Sequence, residues 1–519
     1  MKILKGNLVS APALGKLEIV EHGCLVLHDD GSIQSVEKAV PQNADAEVID
    51  YGDSLIMPSF VDMHLHAPQY PMLGMGMDLP LIDWLNTYTF KTEARFEDSD
   101  YARRIYKKLA SDLITSGTTR VCMFSSLHTD ATLILMEELE KAGVTGYVGK
   151  VNMDRNGSPE LQETTEQSKR ETLRWLDACG RFQTVKPILT PRFTPSCTDE
   201  LMSWLGKLAA ERGLYVQSHL SENKGEIAWV KELCPDCAQY WESYDRAGLW
   251  KDHTVMAHCV HSDEREREAM REHGVVTAHC AGSNINICSG VAPVRTLLRE
   301  GNLVTLGSDI AGGALLAMNK VITMSIRASK FRHMQSDGKD EFLTVEEGYY
   351  LGSSAGHEYF GGHGGFVPGD YIHAIVVDDS DFTEAAHPLS VRERFERAIY
   401  MMTGTSEVNS LIRSSTSIPS ILGILISQNT TSGFSVFTDT NPSMPFSANT
   451  TSCPSKERMS FIELRMLRSS SITSIFAMVI FFTRIAKLGI ISKSSNFRIF
   501  KCFHSFVARM IVKLFGIRL

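Results

Sequence analysis

The chain has 519 residues, 43% hydrophobic and 22% charged, with a formal net charge of −9. That composition belongs to a globular protein long enough for more than one structural unit, and its negative balance offers no general attraction to phosphate backbones or anionic membranes. Nucleic acid and membrane are therefore not expected partners. The opening Met1–Gly6 lacks the apolar core and cleavage site of a secretory signal. Eleven cysteines are scattered without the spacing of a disulfide framework, which suits reduced thiols in the cytoplasm. The close pair Cys234-Pro235-Asp236-Cys237 has no second pair to complete a metal site and is expected to be a surface turn.

In chain order, the first 58 residues carry short strand-like runs. Leu17–Val20 and Cys24–Leu27 are expected as two strands joined at His22-Gly23, with Asp29-Asp30-Gly31 as the next turn. A matching piece lies downstream, where Gly365–Asp370 leads into Ala374–Val377. Residues 1–58 and 366–403 are thus expected to form a small composite β-sandwich domain from the two flanks. Between them, over 59–365, apolar runs alternate with amphipathic stretches such as Tyr101–Thr115, where Ile105, Leu109 and Leu113 share one stripe. The strand candidates are Leu55–Val61, Thr118–Phe124, Tyr147–Val151, Val185–Leu189, Leu214–Gln217, Thr254–Ala257, Val275–Ala278 and Leu303–Leu306. Eight such units over about 300 residues suit an α/β fold of the TIM type, a (β/α)8 barrel. From 404 to 519 the character changes: 13 Lys+Arg stand against 4 Asp+Glu, and 22 of 116 residues are Ser. This basic, Ser-rich tail is expected to be disordered or non-native, with a membrane-surface segment as the alternative.

The polar residues fall where chemistry needs them, because the catalytic end of such a barrel lies at the C-terminal ends of its strands. The first strand runs into His64-Leu65-His66, and a period of two places both imidazoles on one side. The fifth ends in His219-Leu220-Ser221-Glu222, the sixth in His258, the seventh in His279 and the eighth in Ser308-Asp309. Any one of these histidines is more often a satisfied core or surface residue. Their joint occurrence at successive strand ends points to a metal site: three imidazoles and a carboxylate with a position left for water suit Zn²⁺, and also Fe²⁺ or Mn²⁺.

The pattern from Pro58–His66 to Gly307-Ser308-Asp309 resembles the amidohydrolase superfamily. The resemblance implies that His64, His66, His219 and Asp309 hold the metal. The bridging Lys of two-metal members has no counterpart at Leu189-Thr190-Pro191-Arg192, which favours a single ion. Within the single-metal nucleobase deaminase branch, the resemblance implies that Asp309 takes a proton from water, His258 orients it and Glu222 protonates the ring. Segments His66–Tyr70, Met77–Leu85, Tyr88–Phe90, Thr190–Phe193 and His219–Asn223 are similar to those of the guanine deaminases. By that likeness Gln69 and Arg192 bind a small-molecule purine, with Trp84 and Phe193 beside it and His66, His219, Glu222 and Asp309 at its reacting edge. An Arg fork can bond the two adjacent acceptors O6 and N7 of guanine; a structural ion pair is the other use for Arg192. A homodimer is implied as well.

Two departures stand out. The expected His-Cys-Pro appears as His279-Cys280-Ala281, and the resemblance fades after Thr403, where a last strand of the small domain is expected to be missing. The alternative enzyme acts on another aminated heterocycle, such as a hydroxylated guanine or a triazine. The alternative class is a non-catalytic scaffold of the same fold.

Overall fold

The computed structural model describes residues 1–42 and 45–402, together with the backbone of 408–412. Its strands are β1 (Lys2–Ala13), β2 (Lys16–Leu27), β3 (Ile33–Glu37), β4 (Glu47–Pro58), β5 (Phe60–His66), β6 (Thr118–Phe124), β7 (Thr145–Gly149), β8 (Val151–Asn152), β9 (Val185–Pro187), β10 (Thr190–Pro191), β11 (Gln217–Leu220), β12 (Val255–His258), β13 (Val276–His279), β14 (Leu303–Leu306), β15 (His373–Val377) and β16 (Val408–Ile412). The protein is α/β: two four-stranded parallel sheets, β5-β6-β7-β9 and β11-β12-β13-β14, with helices between successive strands.

Parallel strands covered on both faces read as nearly unbroken apolar runs, and β5 is buried at every position. Backbone bonds join the two sheets at both margins. Near β9 and β11, Leu189 N donates to Tyr215 O (3.0 Å) and Gln217 N to Leu189 O (2.9 Å). Beyond β14, Asp309 N donates to His64 O (2.8 Å) and His66 N to Ile310 O (3.2 Å). The second seam needs a close approach, because a Cβ on Gly307 would lie 2.7 Å from that of His64. The helix Ser99–Thr115 illustrates how the outer layer forms. Asp98 caps its first turn by accepting from Asp100 N and Tyr101 N, while Tyr106, Leu109 and Leu113 recur on the buried side.

The flanks form one six-stranded sheet, β16-β15-β4-β1-β2-β3, rather than the expected sandwich. Strand β4 is the reason: it pairs in parallel with β1 on one edge and antiparallel with β15 on the other, so it joins the flanks into a single layer. Residues 17–27 are one strand and not two. His22-Gly23 is a bulge, with His22 at φ 49° and a register shift between Gly6 and Leu8 opposite. The candidate Leu55–Val61 straddles β4 and β5, and Leu214–Gln217 lies three residues early of β11. The sheet also runs past residue 403, since β16 pairs antiparallel with β15 from Val377↔Val408 to His373↔Ile412. That supplies the strand expected to be missing. Apart from these five residues, the tail expectation for 404–519 lies outside the described residues. Among the described residues, no helix is long and apolar enough to cross a membrane.

Candidate active site

Strand ends bring the chemistry together. His64 and His66 leave β5 on one side, and both are buried. His219 follows from β11, His258 ends β12, and Asp309 lies three residues past β14. Several residues here adopt left-handed backbone: Ser221 (φ 47°), His258 (φ 75°), Cys259 (φ 49°) and Asp309 (φ 47°). Such conformations cost non-glycine residues about 1–3 kcal/mol each and concentrate where a site dictates side-chain direction.

The donor atoms converge. His66 Nε2 lies 3.1 Å from His219 Nε2, and Asp309 Oδ1 lies 3.4 Å from His64 Nε2 and 3.5 Å from His66 Nε2. His64, His66 and His219 offer one donor each within 4.8 Å of one another, as do His64, His258 and Asp309. Ligands bound at about 2.0–2.1 Å around a tetrahedral ion are themselves about 3.3 Å apart, so the observed separations suit a shared cation. The protonation states suit it too. Burial, with neighbouring positive charge added, holds His66 and His219 well below the usual imidazole range, and burial lowers His64. Neutral imidazoles are the form that binds metal. Both ring nitrogens of His64 and Nδ1 of His66 are buried without a hydrogen-bond partner among the described residues. Buried polar atoms are rarely left so, and a cation accounts for the nitrogens facing the cluster. His219 Nδ1 donates to Arg192 O (2.6 Å), which fixes the tautomer and points Nε2 inward. His279 is buried with both nitrogens unpartnered among the described residues, and stands outside either donor group.

Three ionisable groups complete the reacting face. Burial pushes the Glu222 carboxyl up to about 7, against the charge of His258. Its Oε1 accepts from Ser289 Oγ (3.0 Å), and Oε2 is 3.5 Å from His258 Nε2. His258 donates through Nδ1 to Asn284 Oδ1 (2.8 Å). Burial lowers its basicity, but the charges of Glu222 and Asp309 prevail and raise it above the usual value. Asp309 is pulled the other way: burial favours its neutral form, yet the close approach of His64 (3.4 Å) and the positive charge of His258 hold it down to about 2. Ser283 Oγ also donates to Asp309 Oδ2.

These groups face a cavity that, with the solvent space at its mouth, encloses about 450 Å³. It is lined on the polar side by His66, Gln69, Arg192, His219, Glu222, Glu226, His258 and Asp309. Leu81, Trp84, Leu85, Phe193 and Ile287 form the apolar wall. Every site residue expected from the sequence except His64 thus lines one cavity, and His64 lies directly behind it. One expected geometry is different. The terminal fork of Arg192 is engaged by Glu93, at 2.6 Å (Nη1–Oε2) and 3.1 Å (Nη2–Oε1), so only its outward N–H groups remain for a ligand. Glu93 escaped the sequence reading because a helical Glu 99 residues from Arg192 carries no local signal. Asp62 was overlooked as well. It accepts from Ser308 N (2.9 Å) and from Ser308 Oγ, and so ties the loop bearing Asp309 to β5. Its place two residues before His64 was the available hint.

The amidohydrolase family model matches residues 55–415. The chain is 37% identical over 428 residues to the guanine deaminase of Dictyostelium discoideum, covering 77% of this chain and 94% of that protein. It is also 37% identical over 391 residues to the guanine deaminase of Rattus norvegicus, covering 72% and 86%. Among solved structures, guanine deaminase from C. acetobutylicum with guanine in its active site superposes with a TM-score of 0.76 at 41% identity, covering 79% of this chain and 98% of that one.

Proposed function

This chain belongs to the amidohydrolase family, and from that premise we propose that it hydrolyses guanine to xanthine and ammonia with one Zn²⁺ held by His64, His66, His219 and Asp309. The observation that carries the proposal is the meeting, in one cavity, of a cation-binding donor cluster, a proton-bearing carboxyl and the polar edge of Gln69 and Arg192.

A divalent cation at this donor set supplies Lewis acidity that brings the pKa of water towards neutrality. Asp309, ionised throughout the physiological range, accepts the proton of the attacking water. His258 stands between Glu222 and Asp309 with Nδ1 fixed by Asn284, so Nε2 faces the reacting centre and offsets negative charge there. Glu222, near neutrality in its proton affinity, gives its proton to the ring nitrogen as C2 becomes tetrahedral. The proton gathered from water then passes from Asp309 to the departing amine, the C2–N bond breaks, ammonia leaves, and the remaining hydroxyl proton returns to Glu222 as C2 becomes a carbonyl. Gln69 and the outward N–H groups of Arg192 orient the base, while Trp84 and Phe193 flank it.

We further take the two parallel sheets as one closed (β/α)8 barrel spanning 59–365, supported by the bonds at both sheet margins. The small β unit is then drawn from the flanks, with β16 extending it beyond 366–403. A cytoplasmic homodimer accompanies this assignment on family resemblance.

Ammonia release across purines and pyrimidines, with metal analysis of the same sample, tests the proposal. Guanine turnover should exceed adenine and cytosine turnover by at least roughly 10³-fold, because the wrong base leaves buried polar groups unpaired. Comparable rates on adenine would remove guanine as the substrate, and faster release from a triazine or a hydroxylated guanine would reassign it.

A further inference from the structure

Glu93 lies behind the purine-facing edge of the cavity, buried to 1% exposure in the short helix Phe90–Ala94. It accepts both terminal nitrogens of Arg192, and its Oε1 also accepts from Gln69 Nε2 (2.8 Å). Gln69 Oε1 in turn accepts from Ala311 N (3.0 Å), so its amide is held in one orientation from both ends. One buried carboxylate therefore aims both residues that face the base, and it also cancels a charge. Arg192 is itself only 4% exposed, and a guanidinium at this depth without a partner would be a strong anion site.

Resting on the deaminase reading above, we infer that Glu93 is a specificity-determining positioning residue that keeps the base-binding edge electrically neutral, so the cavity accepts a neutral heterocycle and rejects its anionic counterpart. Guanine is neutral near physiological pH. Xanthine is the stronger acid, so the same pairing disfavours retention of ionised product. The cation–π contact of Arg192 over Phe90, 5.3 Å from the ring centroid, supports the guanidinium from a second side without adding charge.

The probes are imidazole-4-carboxamide and imidazole-4-carboxylate. Both reproduce the adjacent N7 and O6 acceptors of a purine and match in size, but one is neutral and the other is an anion at pH 8. Binding to the metal-loaded protein is measured by calorimetry, independently of turnover. The unmodified protein should prefer the carboxamide by about tenfold or more, and Glu93→Gln should shift that ratio towards the carboxylate by at least about tenfold. Adding Arg192→Met to Glu93→Gln should erase the gained anion affinity. If Glu93→Gln weakens both probes equally and leaves the ratio unchanged, Glu93 is packing only and the inference falls. Should Glu93→Gln fail to fold, Glu93→Asp keeps the charge and must keep the carboxamide preference; its loss overturns the inference. The two readings fail separately: absence of ammonia from guanine with the probe preference intact removes the deaminase assignment and leaves the charge argument standing.

Discussion

Replacing Glu222 by Gln should make the protein more stable at alkaline pH while removing most of its turnover. The carboxyl is 4% exposed and is held at about 7 instead of 4.5, with burial the main cause. Between those two values the folded state keeps a proton that the unfolded state has already lost. Stability conferred below pH 4.5 is therefore lost progressively as pH rises, and is gone above about 7. At 1.36 kcal/mol for each pH unit, the ionised carboxylate costs the fold ~3 kcal/mol at pH 8. Glutamine keeps the shape and an acceptor for Ser289 without carrying that charge. Chemical denaturation of both proteins at pH 4 and pH 8, in chelator so that a bound cation's charge does not enter, measures the difference. The variant should gain up to ~3 kcal/mol at pH 8 and nothing near pH 4. With metal restored, it should lose about 10²–10⁴-fold in kcat as general acid catalysis disappears. A variant no more stable at pH 8 than the unmodified protein would refute the claim that burial raises this carboxyl.

Other substitutions separate the remaining roles. His219→Ala should abolish both bound metal and turnover, checked by elemental analysis; full occupancy with normal rates would remove His219 from the donor set. Asp62→Ala should weaken metal affinity by about 10–100-fold in competition with a chelator, because the loop carrying Asp309 loses its tie to β5; unchanged affinity would show that the loop holds itself. Arg192→Lys should lose guanine selectivity by about 10–100-fold in kcat/KM, since an ammonium cannot both pair bidentately with Glu93 and present a donor to the base; retained selectivity would place recognition elsewhere.

Much of this site was legible because its ligands sit at strand ends, where periodicity and chemistry coincide. His64-Leu65-His66 announces itself by spacing, and β6 and β14 run as the apolar pattern indicates. The less legible parts depend on contacts distant in sequence. The sequence separation of 99 between Glu93 and Arg192 hides an ion pair that changes how the Arg is used. The single six-stranded sheet rests on β4 pairing with both flanks, which no local pattern reveals. His22-Gly23 has turn-like residues but serves as a bulge, because the partner strand β1 continues unbroken past it. Cys234-Pro235-Asp236-Cys237 is the expected turn, closed by Cys237 N donating to Cys234 O (3.0 Å) with Pro235 and Asp236 exposed, but its two free thiols are buried, which the spacing alone does not reveal.

The most direct test of the central claim is a metal titration of the chelated protein with guanine as substrate, following bound Zn²⁺, xanthine and ammonia together. The account predicts that turnover rises linearly to one Zn²⁺ per chain, with xanthine and ammonia formed in equal amounts. Turnover of guanine by the metal-free protein, or a fully loaded protein that forms no xanthine, would contradict it.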